Sequence, residues 1–177
     1  IWSAGCSTGE EPYTIAICLQ ECRHLFPGWE MKILATDIAH SVLKYARTAR
    51  YGGRRIDKVP AEYLSKYFTR VEDVEPLYEV KPEVRNMVQF SILNLFKDQF
   101  PKGVDIIFCR NVMIYFDREH QKILVKNFFN SLNKDWGYFF IGHSETLHSV
   151  SEEFAYMKIL DAPVYGPKER LNELPSD

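Results

Sequence analysis

Ile1-Trp2-Ser3-Ala4-Gly5-Cys6-Ser7-Thr8-Gly9-Glu10-Glu11-Pro12 opens the chain and runs directly into Tyr13-Thr14-Ile15-Ala16-Ile17-Cys18-Leu19. Two apolar residues give way to a turn of small residues with glycines at 5 and 9. Ile15, Leu19 and Leu25 then recur at helical rather than strand spacing. The pattern predicts strand, tight turn, helix. Such a turn brings a ligand against bare backbone, because Gly lets the main chain approach and the first helical N–H groups point outward.

The glycine spacing departs from the G-x-G-x-x-G dinucleotide fingerprint. Glu10 and Glu11 in the first helical turn oppose a phosphate and suit a ligand bearing an ammonium or sulfonium cation, of which S-adenosylmethionine is one. Helix capping is the competing reading: Ser7 with Glu10, or Thr8 with Glu11, has capping-box spacing, and Pro12 suits an early helical position. Capping occupies one glutamate and leaves the other for a ligand.

Met31 to Ile38 is a short apolar run ending in an acid, as a buried parallel strand does, and Asp37 stands at its carboxyl end, where open α/β sheets bind ligands. An acid there is placed to accept from both ribose hydroxyls; the alternative is a turn residue ahead of a helix from Ser41 to Ala49. Val88 to Leu95 is a further strand. It ends in Asn94, whose amide together with the Leu95 N–H offers a donor and acceptor pair to an adenine edge, although Asn is also ordinary at a strand end. Val104 to Asn111 is the clearest strand and is predicted to be the fourth parallel one, so that Arg110, Asn111 and Tyr115 emerge over the same edge as Gly5 and Asp37.

Arg47, Arg50, Arg54, Arg55 and Lys58 form a basic run around Tyr51-Gly52-Gly53, which reads as a solvated face or as a contact for an acidic protein. Pro60 to Phe68 reads as a helix. Leu77 to Val80, with Val84 to Gln89, predicts an antiparallel hairpin inserted in the α/β domain, after an acidic turn from Val71 to Pro76. Asp117 is the expected N-cap of a helix through Leu132 with Ile123, Leu124 and Phe128 as its apolar stripe. Tyr138 to Ile141 is a strand closed by Gly142-His143-Ser144-Glu145. These three polar neighbours cannot form a hydrolase triad, whose members converge from separate elements. Phe154 to Leu160 and Val164 to Tyr165 predict a terminal hairpin, followed by a frayed tail from Lys168.

The 177 residues suffice for one domain with a full core, and 26% charged with 46% hydrophobic residues is an ordinary globular composition. The net charge of -2 gives no general attraction for nucleic acid or acidic membrane. No apolar run approaches the ~20 residues that span a bilayer, and no signal peptide precedes the first strand, so a cytoplasmic location is expected. Cys6, Cys18, Cys22 and Cys109 lack metal-ligand spacing and read as free thiols; no metal is expected. The chain has no initiator Met and opens inside a strand, which implies sequence upstream.

The assembled pattern resembles the class I S-adenosylmethionine-dependent methyltransferases, and within them the chemotaxis receptor methyltransferases of the CheR type. The resemblance is carried by Trp2 to Tyr13, by Ala35-Thr36-Asp37-Ile38, by Phe108-Cys109-Arg110-Asn111-Val112-Met113-Ile114-Tyr115-Phe116 and by Gly142-His143-Ser144-Glu145. It implies a Rossmann-like methyltransferase sheet with a terminal antiparallel hairpin and a small inserted antiparallel β-subdomain at about 69-90, within one catalytic domain over 1-177. It also implies protein-glutamate O-methylation of the cytoplasmic domains of chemoreceptors, giving glutamate methyl esters and S-adenosylhomocysteine. By position, Glu11 would hold the methionyl ammonium, Asp37 the ribose, Asn94 and Leu95 the adenine, and Gly5, Arg110 and Asn111 the cofactor near the strand tips, with Tyr115 facing the methyl group. Family members carry an N-terminal helical domain that has no counterpart in this chain, and in some the β-subdomain grips a receptor-tail peptide. The residues alone leave two alternatives open: a methyltransferase for another substrate, and a non-catalytic S-adenosylmethionine-binding sensory module.

Overall fold

The computed structural model describes residues 1–71, 76–159 and 162–171. In chain order it contains β1 (Trp2–Ala4), α1 (Glu10–Cys22), β2 (Ile33–Asp37), α2 (His40–Thr48), β3 (Arg50–Gly52), α3 (Ala61–Tyr67), β4 (Phe68–Val71) and β5 (Leu77–Val80). There follow α4 (Pro82–Arg85), β6 (Val88–Ile92), β7 (Ile106–Cys109), α5 (Arg118–Ser131), β8 (Tyr138–Ile141), β9 (Phe154–Ile159), β10 (Ala162–Pro167) and α6 (Lys168–Leu171). The architecture is the expected mixed α/β one, with parallel strands in the body of the fold and an antiparallel pair at the end. The chain divides into two units, one of Ile1–Gly5 with the residues from Leu93 onward, the other of Cys6–Ile92.

In the first unit β1 and β8 both pair in parallel with β7, and β10 runs antiparallel between β8 and β9. Alternation decides the faces. Ile107 and Cys109 of β7, with Phe139 and Ile141 of β8, are buried, while Phe108 and Phe140 are directly opposed in the register and stack with centroids 4.6 Å apart. Trp2 is wholly buried, edge-on to Phe100 at 4.9 Å and against Phe128 at 5.2 Å; the aromatic chain continues through Phe139 to Phe154. Asp117 caps α5 by accepting from His120 N at 3.0 Å. The buried stripe of α5 is Leu124, Val125 and Phe128; Ile123 is 54% exposed, because the helix turns Val125 rather than Ile123 inward. The terminal hairpin forms as expected. Lys168–Leu171, expected to be frayed, is a helical turn whose Arg170 packs over the Tyr138 ring.

In the second unit β2 and β6 pair in parallel from Ile33↔Val88 to Asp37↔Ile92. Cys6, Ala35 and Leu43 form a small core flanked by Val88 and Phe90. Helix α1 buries Pro12, Tyr13, Ile15, Ala16 and Ile17, and Leu25, expected to continue that face, is 62% exposed in the single turn Arg23–Leu25. The antiparallel insert differs from its expected strands. It is a three-stranded sheet in the order β3-β5-β4, with Tyr51 opposite Tyr78 and Phe68 opposite Val80. Val84 is instead buried in α4, which Pro82 starts by fixing the first helical φ, and Val88 onward belongs to the parallel pair. Of the acidic turn, residues 72–75 lie outside the described residues.

Candidate functional site

At the carboxyl end of β2 the second unit presents Asp37 and the loop 6–9. Cys6 N donates to Thr36 O at 2.9 Å, which brings the loop alongside the strand tip. Ser7, in the left-handed region at φ 47, then donates its N–H to Asp37 Oδ2 at 2.9 Å, and Asp37 Oδ1 accepts from Ala39 N at 2.9 Å. Each carboxylate oxygen keeps a lone pair for a further donor. Both readings of Asp37 are thus compatible: it shapes the turn and stays half-buried at the sheet edge.

Neither capping box forms. Gly9, left-handed at φ 92, is the N-cap of α1, and no side chain caps that terminus. Thr8 Oγ1 instead donates to Glu10 Oε2 at 2.7 Å, and Arg55 contacts both Thr8 and Glu10. Glu10 is therefore a structural partner of the insert, and Glu11 is the glutamate that remains half-buried beside it in the first helical turn. Tyr51 OH donates to Thr8 O at 2.8 Å, tying β3 to the loop beside the Arg55 contacts. Burial holds three groups of this unit neutral: the Cys6 thiol is pushed up from 9.0 to about 12, with Asp37 adding to the effect; the Tyr13 phenol rises from 10.0 to about 12; and the Tyr51 phenol is raised further. Arg47 donates to Phe90 O and Arg50 pairs with Glu79, so three of the five residues of the basic run are engaged inside the unit.

In the first unit, Gly5 and Arg110 leave β1 and β7 at the same carboxyl edge, as the parallel register Ser3↔Phe108 requires. Gly5 adopts φ 78, and a Cβ there would lie 2.4 Å from Val112 Cγ2. A side chain at that position would be strained in its backbone and would have to displace Val112. Arg110 and Asn111 are exposed, Asn111 in the left-handed region at φ 58. Tyr115 ends the single turn Met113–Tyr115 and is 79% exposed, so it is not a core residue. Asn94 and Leu95 form a separate turn: Asn94 Oδ1 accepts from Phe96 N at 2.9 Å and its N–H donates to Asp98 Oδ2 at 2.7 Å. Asn94 Oδ1 thus serves the turn with one lone pair and keeps the other, and the Leu95 N–H has no hydrogen-bond partner among the described residues.

The residue that sequence reading left without a role is Glu145. It is no triad member; its carboxylate accepts from the N–H groups of Asn111, Met113 and Gly142. Its presence in Gly142-His143-Ser144-Glu145 was visible, but only the pairing of β7 with β8 reveals which loop it reaches. All four cysteines are free, Cys18 and Cys22 exposed. Among the described residues no group of three or more His, Cys, Asp or Glu could hold a metal ion, and no helix is long and apolar enough to cross a membrane.

The family described as "CheR methyltransferase, SAM binding domain" matches residues 1–162. A chemotaxis protein methyltransferase of Borreliella burgdorferi is 48% identical over 150 residues, 83% of this chain and 52% of that protein. One of Salmonella typhimurium is 41% identical over 158 residues, 88% of this chain and 54% of that protein. The chain spans about half the length of the curated relatives it matches. Among solved structures, a TehB-like SAM-dependent methyltransferase from Corynebacterium glutamicum is similar with a TM-score of 0.55 over 94% of this chain and 79% of that one; at 14% identity the likeness is one of fold. A glycine turn at the tip of β1, an acid at the tip of β2, the Arg110-Asn111 exit of β7 and a family match over nearly the whole chain converge: this chain belongs to the CheR methyltransferase SAM-binding-domain family.

Proposed function

We propose that this chain is the catalytic domain, over 1–177 with an inserted antiparallel β-subdomain, of a cytoplasmic enzyme that methylates glutamate side chains in the cytoplasmic domains of chemoreceptors. The observation that carries the reading is the Ser7–Asp37 pairing at the head of a chain that matches the family from its first residue. S-adenosylmethionine, when bound, supplies a methyl group on a sulfonium centre; the acceptor carboxylate oxygen bonds to that carbon as its bond to sulfur breaks, leaving a methyl ester and S-adenosylhomocysteine.

The carboxylate is already ionised at neutral pH, so the chain has no proton to remove; its task is alignment and exclusion of water. Anion and cation neutralise each other as the reaction proceeds, which a site poorer in water than bulk solvent favours. In this reading Asp37 accepts from the ribose hydroxyls through its remaining lone pairs, and Glu11 faces the methionyl ammonium. The Leu95 N–H and the Asn94 side chain meet the adenine. Gly5, Arg110 and Asn111 line the cofactor at the strand tips. Tyr115, exposed on its turn, faces the methyl group.

The test is calorimetric titration of the complete gene product with S-adenosylmethionine and S-adenosylhomocysteine, followed by transfer of labelled methyl to a chemoreceptor cytoplasmic fragment. Micromolar binding and a label released as methanol by mild alkali are expected, because esters hydrolyse under those conditions and N-methyl groups do not. Absent binding, or an alkali-stable label, overturns the proposal.

A further inference from the structure

We infer that Glu145 is a positioning residue whose carboxylate fixes the segment Arg110–Tyr115 leaving β7, and thereby the placement of Tyr115; the inference rests on the methyl-transfer reading above. Glu145 closes a turn after β8, its own N–H donating to Gly142 O at 3.0 Å. From there Oε2 accepts from Gly142 N at 2.6 Å and Asn111 N at 3.0 Å, while Oε1 accepts from Met113 N at 2.9 Å. Strands β7 and β8 are paired as far as Cys109↔Ile141, so the two loops leave one edge side by side and beyond that pair share no strand ladder. The carboxylate takes the ladder's place.

The fixed segment is one that needs holding. Asn111, two residues past the strand, takes the left-handed region at φ 58, which costs a residue with a side chain, least of all Asn, some backbone strain. The N–H groups of Asn111 and Met113 flank Val112, whose methyl occupies the space beside Gly5. On the far side Gln121 donates to the carbonyls of Met113 and Phe116 at 2.9 and 3.0 Å. Among the described residues Tyr115 makes no side-chain hydrogen bond or ring contact, so its position follows from this backbone. A carboxylate is acceptor-only at both oxygens. Glutamine, of the same shape, must turn an NH2 group either toward Met113 N–H or toward the Asn111 and Gly142 pair. Gly142 belongs to the same device: a Cβ there would lie 2.7 Å from Glu145 Oε2 and 3.1 Å from Asn111 N.

The test is Glu145→Gln, read by amide-resolved NMR of the labelled protein and by the kinetics of methyl transfer. The expected result is an upfield shift and at least ~10-fold faster exchange of the Asn111 or Met113 amide, the loss of a hydrogen bond to a charged acceptor, with the amides of Trp2 and Phe139 unmoved. The turnover number should fall about 10-fold or more at a temperature where the variant remains fully folded, with a melting temperature lowered by no more than the loss of one such hydrogen bond accounts for. Unchanged 111 and 113 amides overturn the inference, as does a shifted amide with turnover within about 2-fold of the parent. Should Glu145→Gln unfold, Gly142→Ala displaces the same carboxylate without altering its charge, and the same readouts decide. A parent protein that transfers no methyl group overturns the functional reading instead, and the amide measurement still decides whether Glu145 holds the segment.

Discussion

Ser7 and Asp37, 30 residues apart in sequence, are joined by one hydrogen bond, backbone N–H to carboxylate at 2.9 Å. The bond ties the shape of the glycine turn to the acid at the tip of β2, so the proposed ligand role of Asp37 is tested together with a structural one. Asp37→Ala is expected to weaken S-adenosylhomocysteine binding by ~10-fold or more in a calorimetric titration and to lower the melting temperature as well, since Ser7 and Ala39 lose their acceptor. Asp37→Asn keeps one oxygen and should recover part of the stability before it recovers affinity. Unchanged affinity in both variants would remove Asp37 from the cofactor site.

Gly5→Ala faces two costs at once, a left-handed backbone and a Cβ placed 2.4 Å from Val112 Cγ2. The expected loss is about 2 kcal/mol or more, read from urea unfolding. The double variant Gly5→Ala, Val112→Ala removes the clash and leaves the backbone term, so it should sit between the two. A double variant no better than Gly5→Ala would show that the methyl of Val112 is not the obstacle.

The stripe of α5 can be tested by contrast. Phe128 is fully buried among Trp2, Phe100 and Phe139, and Phe128→Ala should cost ~3–5 kcal/mol. Ile123→Ala, on the exposed side of the same helix, should stay within about 0.5 kcal/mol of the parent. Equal losses would contradict the assigned face.

Alkaline pH should unfold the second unit before any comparable effect near neutrality. Cys6 and Tyr13 ionise at about 12 in the folded chain, against 9.0 and 10.0 when exposed, because burial penalises the charged forms. The unfolded chain loses these protons first, so stability is complete below pH 9 and declines from there toward pH 12. Chemical denaturation across that range measures the slope. At pH 7.5 a thiol reagent should modify Cys18 and Cys22 and spare Cys6 and Cys109, with the exposed Cys18 reacting more slowly because partial desolvation of its sulfur raises its pKa.

The parallel strands were legible because each is a short apolar run with a polar or glycine end, and the same signal placed Gly5, Asp37, Arg110 and Asn111 at strand tips. The insert was not. Strand β3 has three residues of which only Tyr51 is buried, so Arg50 and the basic residues flanking the strand dominate the reading, and β4 follows α3 without a break, so Phe68 reads as the helix's last apolar residue. The roles of Glu10 and Glu145 were equally hidden. Each is decided by a partner far along the chain, Arg55 for the first and the Asn111 and Met113 amides for the second, and no local pattern encodes which loop lies next to which.

Strand β10 lies between β8 and β9 although it follows both of them in sequence. While the protein is being synthesised, β8 and β9 emerge before the strand that joins them and cannot acquire their native pairing. The sheet of the first unit therefore completes only after Pro167 has left the ribosome. Such long-range pairings close slowly. A nascent chain stalled before Ala162 would expose the edges of β8 and β9, and that interval is where chaperone binding or misassembly of this protein is to be sought.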